Sequence, residues 1–577
     1  MEQGEARGLG RSGVLLTAVL FLFYVGTFRG QADGMILGND AIPYAVELAN
    51  GSPHANPHHL LFHPLADLVH GLLSVFEKPA LSMRSSLGLA ITAQSILSAL
   101  GGALAAAFFL VASRRLMRPA AGALAPFALT LLLAFSAGHW LYSAVGETYL
   151  PAIAAQTALL GTALACRVEA SGRASGRQLV AMATALLVAV LLRQDSVLVV
   201  PAVLFLLAPR PALAVVGAAG STALVIYFAT WLGADPGVGF SAWLRGLADT
   251  GLWGGELSFA KVKVAGTLGL TALGYSMWYA ARAWTHGSIG LEHGLLELLL
   301  GLVPWLLVVL AVLSGTRRRS EPEPEARATR DLRRALAALV VFLVLRFSFF
   351  AWWQPGNLEY HTGHLVPLLL LVALLLRARG KPDAALNETP SAGTSLAPRL
   401  LLLATLTTLV GNYLVLIEPN QGTAMHARST AAMGQLAPGG LVLSLDRLGH
   451  YSDLRAAGTT PSITTGEASD APVVVDASDV ASGLDLARLD ELRSAIEAAL
   501  VRTADLRPGP FPDAPIAGVL ATRDLVLPVR FEHPHWPLDW SNPATGHVGG
   551  MNRMIDGLAV HPRPLSAGLE AALWELR

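Results

Sequence analysis

Asp40 lies a short way beyond the first long apolar run, in Gly38-Asn39-Asp40-Ala41-Ile42-Pro43-Tyr44. A carboxylate at outer headgroup depth can take a proton from an incoming hydroxyl, which is general-base chemistry. The position also suits a helix cap, because Asn39-Asp40 precedes Pro43-Tyr44-Ala45-Val46-Glu47; the two roles are compatible. A His/Pro-rich stretch follows, with His54, His58, His59 and His63. His59 and His63 stand four apart, on one helix face, which is a spacing that can hold a metal. No Cys or third acidic ligand follows at a recognisable distance, so these imidazoles read better as polar anchors of an interfacial helix. His58 and His59 are also candidate contacts for a phosphate or a sugar hydroxyl.

Three further places put charge where lipid makes it costly. Glu147, in Val145-Gly146-Glu147-Thr148-Tyr149, is expected one or two turns into an apolar helix at its outer end, facing a cavity. Arg193 interrupts an apolar run in Leu191-Leu192-Arg193-Gln194-Asp195. Its guanidinium fork suits a phosphate or pyrophosphate; the plainer alternative is a local salt bridge with Asp195. Glu359 and His361 lie in an aromatic turn, Trp352-Trp353-Gln354-Pro355-Gly356-Asn357-Leu358-Glu359-Tyr360-His361, and exceed what an interfacial aromatic belt requires. Arg346, a turn before those aromatics, is one more candidate anion contact.

The elements that must position these groups are membrane spans. The 577 residues are 53% hydrophobic and only 14% charged, with a mean hydropathy of +0.51. Soluble domains carry about 25% charged residues. Apolar runs occur near 12–29, 87–112, 120–138, 141–165, 178–192, 195–209, 211–232, 264–284, 289–314, 333–351, 362–377 and 398–417. The run after Arg7 and Arg11 reads as a retained first span, not a cleaved signal peptide. Four Arg-rich loops, around 114–118, 167–177, 317–334 and 377–381, are expected on the cytoplasmic side. That places loop 30–86 and the C-terminal tail outside and requires an odd number of crossings, 11 or 13. Either 178–209 is a single crossing interrupted at Arg193-Gln194-Asp195, or a further span hides between 236 and 314.

The expected fold is an all-α polytopic membrane domain over 1–419 and a soluble, extracytoplasmic α/β domain over 420–577. The tail alternates short apolar runs (441–443, 473–475, 525–527) with Gly, Pro and Asp, and Leu486 to Leu500 has helical periodicity. His533-Pro534-His535-Trp536-Pro537 reads as a packed loop, with a sugar or membrane contact as the sharper alternative. A net charge of zero gives no electrostatic case for nucleic acid. The single cysteine, Cys166, excludes an internal disulfide.

On Asp40, Tyr44, Gly51, the His58 to Pro64 stretch, Glu147-Thr148-Tyr149 and Arg193, residues 10–420 resemble the GT-C superfamily of polytopic glycosyltransferases. The likeness is greatest to the bacterial branch near the protein mannosyltransferases and the lipid A aminoarabinose transferases. Many of these relatives carry two adjacent acidic residues in the first loop, where this chain has Asn39-Asp40. The resemblance implies sugar transfer from a polyprenyl-phosphate donor to an acceptor hydroxyl of a glycan, lipid or protein, with inversion, outside a bacterial inner membrane. Asp40 would be the base and Arg193 the phosphate contact. His58, His59, Glu147, Glu359 and His361 complete the candidate substrate-binding set. No cofactor is expected; a divalent metal is compatible but not indicated. Two other readings stand beside this one: a transporter or flippase of a lipid-linked or anionic solute, and a non-catalytic envelope scaffold.

Overall fold

The computed structural model describes residues 2–27, 44–45, 48, 58–75, 83–117, 124–234, 237, 239–241, 258–274, 291–314, 326–353, 358–379, 396–416, 441–444, 473–476, 517–522 and 571–575. Asp40, the 486–500 segment and the 533–537 string lie outside these residues. The chain divides into two compact units: one of 1–28, 53–69 and 93–418, and one of 29–52, 70–92 and 419–577.

The helices run α1 (Glu2–Gly26), α2 (Phe62–Ser74), α3 (Met83–Met117), α4 (Leu124–Ala134), α5 (Ala137–Ala144), α6 (Tyr149–Ala170), α7 (Gly176–Leu192), a 3-10 turn (Gln194–Val199), α8 (Val200–Leu206), α9 (Pro209–Ala234), α10 (Phe259–Thr271), α11 (Leu291–Ser314), α12 (Ala326–Trp353), α13 (Leu358–Thr362), α14 (Leu365–Arg379) and α15 (Leu396–Leu416). Among the described residues 5 helical stretches are long and apolar enough to cross a membrane: Leu89–Met117, Tyr149–Ala170, Pro209–Gly233, Thr329–Trp353 and Glu359–Ala378. The bent pair α4 and α5 makes up to 6. Five shorter apolar stretches coincide with other expected spans, among them Gly13–Gly26, Gly176–Leu192 and Gln194–Leu206. The chain is a membrane protein.

Burial sorts the long helices. On α9, Leu213, Leu224, Val225 and Phe228 are exposed, the surface a bilayer would cover. The spans within α3, α6 and α13–α14 are mostly buried and form the interior. Small residues let them approach: Gly101 lies so close to Pro151 that a Cβ there would overlap its backbone, and a Cβ at Gly161 would overlap that of Ala112.

Two breaks in these helices shape the site. The first separates α4 from α5, bent by 58°. Ser136 adopts an extended conformation there. The amides this exposes at the start of α5 are satisfied by carbonyls near the end of α10, Ala137 N to Leu273 O at 3.0 Å and Gly138 N to Ala272 O at 2.9 Å.

The second break is at Arg193, whose φ of −156° and ψ of 122° end α7. α7 begins with a capping box of Ser175 and Gln178 and rises for 17 residues, about 25 Å at helical pitch. The 3-10 turn and α8 then come back. Ala208 N donates to Gly172 O at 2.9 Å, so the chain after α8 meets the chain before α7. A buried Arg167 holds this base. Its Nε donates to Leu206 O at 2.7 Å and its Nη1 reaches Asp331 at 3.2 Å. Gly172 makes the turn at φ +81°. Of the alternatives left open for 178–209, the single interrupted crossing does not hold. The segment is a hairpin with Arg193 at its tip, because backbone and Arg167 hydrogen bonds tie both ends together.

In the second unit four strands, β1 (Leu441–Ser444), β2 (Val473–Asp476), β3 (Ala517–Thr522) and β4 (Ala571–Glu575), form one sheet in the order β2-β1-β3-β4. β1 pairs in parallel with β2 and β3, and β3 pairs antiparallel with β4. The expected strands at 441–443 and 473–475 are present; the one expected at 525–527 lies outside the described residues.

Candidate active site

The hairpin tip gathers the polar groups. Arg193, freed from helical geometry at the end of α7, donates from Nε to Asp195 Oδ1 at 2.8 Å and from Nη1 to Thr148 Oγ1 at 3.2 Å. Its Cζ sits 3.6 Å from the centroid of the Tyr149 ring at the start of α6. A desolvated guanidinium over an aromatic face gains about 2 kcal/mol. Arg346, from the middle of α12, comes from the other side. Its Nη1 donates to Asp195 Oδ2 at 3.1 Å and its Nη2 to Tyr360 O at 3.2 Å. One carboxylate thus joins two guanidiniums, and all three side chains are buried.

Aromatic packing fixes this pair from behind. Tyr149 Oη donates to Glu359 Oε1 at 2.7 Å. The Tyr149 ring meets Tyr360 edge-on at 5.6 Å, and Tyr360 stacks on Phe350 at 4.7 Å and 10°. Gly363 leaves room for Arg346: a Cβ there would overlap its Cζ, Nη2 and Nε. Gly363→Ala is therefore expected to displace the Arg346 guanidinium and to lower thermal stability by about 1–3 kcal/mol, the usual cost of overpacking, which a melting curve in detergent or lipid would read. Gln156 Nε2 donates to Ser196 Oγ at 2.8 Å and anchors the 3-10 turn to α6.

The His-rich stretch is stitched to the same tip. Leu61 N donates to Leu191 O at 3.0 Å, and His59 Nδ1 stands 3.0 Å from Leu192 O. A carbonyl only accepts, so Nδ1 carries the proton in this contact. Burial, reinforced by the neighbouring Arg193, holds the His59 imidazole well below its ordinary pKa. Leu61 and Phe62 pack against the end of α7 and secure the stretch.

The residues singled out from sequence fall as follows. Arg193, His59 and Glu359 come together around the tip. Glu147, 1% exposed, adjoins it through Thr148. It does not sit a turn or two inside a helix, as expected, but in the non-helical link between α5 and α6. Ser98 explains why: its hydroxyl donates to Glu147 O at 2.6 Å and accepts from Glu147 N at 2.9 Å, replacing helical bonds. His361 is fully buried and stacks on His364 at 5.4 Å, in the same turn as Glu359. His58 is exposed, its ring 6.3 Å from that of His59. Asp40 lies outside the described residues. The local Arg193–Asp195 salt bridge does form, yet it is only one edge of the cluster. Reading by residue type missed Asp195 as a bridge, Arg346 as its second partner, Tyr149 as the platform, and Gly363. Arg346 itself was marked from sequence as a candidate anion contact; its bond to Asp195 was not.

Among the described residues no group of three His, Cys, Asp or Glu is placed to hold a metal ion.

No protein-family model matches the sequence, and no curated protein matches it. Solved structures do. The chain is similar to ArnT from Cupriavidus metallidurans bound to undecaprenyl phosphate, at 14% identity over 78% of this chain and 85% of that one, with a TM-score of 0.46. It is also similar to the archaeal oligosaccharyltransferase AglB from Archaeoglobus fulgidus in complex with an inhibitory peptide and a dolichol-phosphate, at 12% identity over 98% and 74% of the two chains and a TM-score of 0.42.

Proposed function

We propose that the chain is an integral membrane glycosyltransferase that moves a sugar from a polyprenyl-phosphate donor to an acceptor hydroxyl on the extracytoplasmic side, with inversion. The observation that carries this reading is the buried pair Arg193 and Arg346 at the tip of a hairpin set among apolar helices. A guanidinium pair in such surroundings is costly unless it serves an anion, and a phosphate at membrane depth belongs to a lipid. Arg346 Nε makes no hydrogen bond among the described residues, so this guanidinium keeps a donor in reserve.

In this scheme Asp40 takes the proton of the acceptor hydroxyl. The oxygen attacks the anomeric carbon from the face opposite the phosphate. The bond from that carbon to the phosphate oxygen breaks, and its electron pair leaves with the polyprenyl phosphate. Single displacement inverts the anomeric centre. Arg193 and Arg346 stabilise the charge that grows on the leaving phosphate. His59 and Glu359 lie beside Arg193 and would orient the sugar. The membrane part, 1–419, would lie in an inner membrane, with 420–577 as an external domain.

The test is transfer itself. The purified chain in lipid, given polyprenyl-phosphate sugars and membrane glycans or glycolipids, is expected to release polyprenyl phosphate and lengthen an acceptor. Mass spectrometry of envelope glycans from a strain lacking the protein should show one sugar missing. Unaltered glycans and glycolipids, with no release in vitro, would overturn the reading.

A further inference from the structure

Asp195 occupies the donors that a phosphate would want. Its two oxygens are divided between the guanidiniums, Oδ1 to Arg193 at 2.8 Å and Oδ2 to Arg346 at 3.1 Å. It is buried with them. Asp195 thereby offsets one of the two guanidinium charges, in surroundings where each uncompensated charge is expensive. The position of Asp195 is set by the 3-10 turn, two residues past the helix break, and by the Gln156–Ser196 bond beside it. It cannot withdraw far. An incoming phosphate must therefore share the guanidiniums with a carboxylate that stays.

We infer that Asp195 is a built-in competitor for the lipid phosphate, a positioning residue that keeps the arginine pair in register when empty and weakens its hold on polyprenyl phosphate so that product leaves. The inference rests on the reading of the cluster as the phosphate site. Its consequence has an unusual sign: neutralising a buried, doubly bonded carboxylate should tighten ligand binding while destabilising the empty protein. With Asp195→Asn two guanidiniums lose their shared counter-charge, and an added phosphate restores it.

The experiment uses the full chain in lipid nanodiscs with a polyprenyl phosphate as probe. Asp195→Asn is expected to melt lower than wild type without the probe, to regain the difference with it, and to bind it roughly tenfold more tightly. Its multiple-turnover rate should fall while its first turnover survives, because release has slowed. Asp195→Glu, which keeps the charge, should behave close to wild type in binding. Equal or weaker binding by Asp195→Asn overturns the inference and leaves the proposed function standing. If wild type does not bind the probe at all, the reading of the site fails, and the inference with it. A variant that does not fold even with the probe present also counts against it, since the carboxylate would then be doing something that a phosphate cannot replace.

Discussion

Arg193→Lys is expected to lower glycosyl transfer by roughly a hundredfold and to weaken binding of polyprenyl phosphate by a similar factor. The substitution keeps the charge but loses the fork. Lysine cannot donate to Asp195 and Thr148 at once in one plane, nor lie flat on Tyr149. Breaking a desolvated charged pair costs about 3 kcal/mol or more, two factors of ten in affinity. Isothermal binding and initial-rate measurements on the same preparation would show it. Arg193→Gln should be worse, because it also strands Asp195 beside a single guanidinium. A lysine variant with unimpaired binding would mean that Arg193 serves only to close the hairpin tip. In that event the melting temperature would move while the affinity did not.

The charged residues of this cluster were legible because lipid raises the cost of every one of them. Arg193, Glu147 and Glu359 stand out against apolar neighbours, and a reader can mark them without knowing what they touch. Their partners were not legible. Arg346 and Asp195 are 151 positions apart, and no periodicity connects them. The choice between a hairpin and a single crossing was equally hidden. Hydropathy over 178–209 is the same whether the chain crosses once or turns back. Only the bond between Ala208 and Gly172, with Arg167 bound to Leu206, distinguishes the two. Some helices were readable to within a few residues, as for 209–234 against the expected 211–232, whereas the span expected at 141–165 is the helix 149–170. The error at 141 has a cause. The apolar run before the α5–α6 link gave no sign of the break, and at Glu147 Ser98, a side chain supplied by α3, takes the place of helical bonds.

Asp40→Asn separates the enzyme reading from its rivals more cleanly than any other change. A general base contributes roughly a hundred- to ten-thousandfold to rate, and asparagine removes the proton acceptor while keeping the shape and most of the capping ability of aspartate. Transfer should therefore fall by that factor while binding of polyprenyl phosphate, held by Arg193 and Arg346, stays as in wild type. The acidic limb of the pH–rate profile should vanish as well, since the group that must ionise is gone. Preserved binding with lost turnover would assign Asp40 to the chemical step. Loss of both would make it a structural cap of the first loop. Full activity in Asp40→Asn would move the base elsewhere. Glu147 would be the first alternative, a buried carboxylate one residue from Thr148, which already accepts from Arg193 at 3.2 Å. A transporter would answer differently, moving the intact lipid-linked solute without releasing its phosphate in either variant. The product analysis, rather than the rate alone, decides between them.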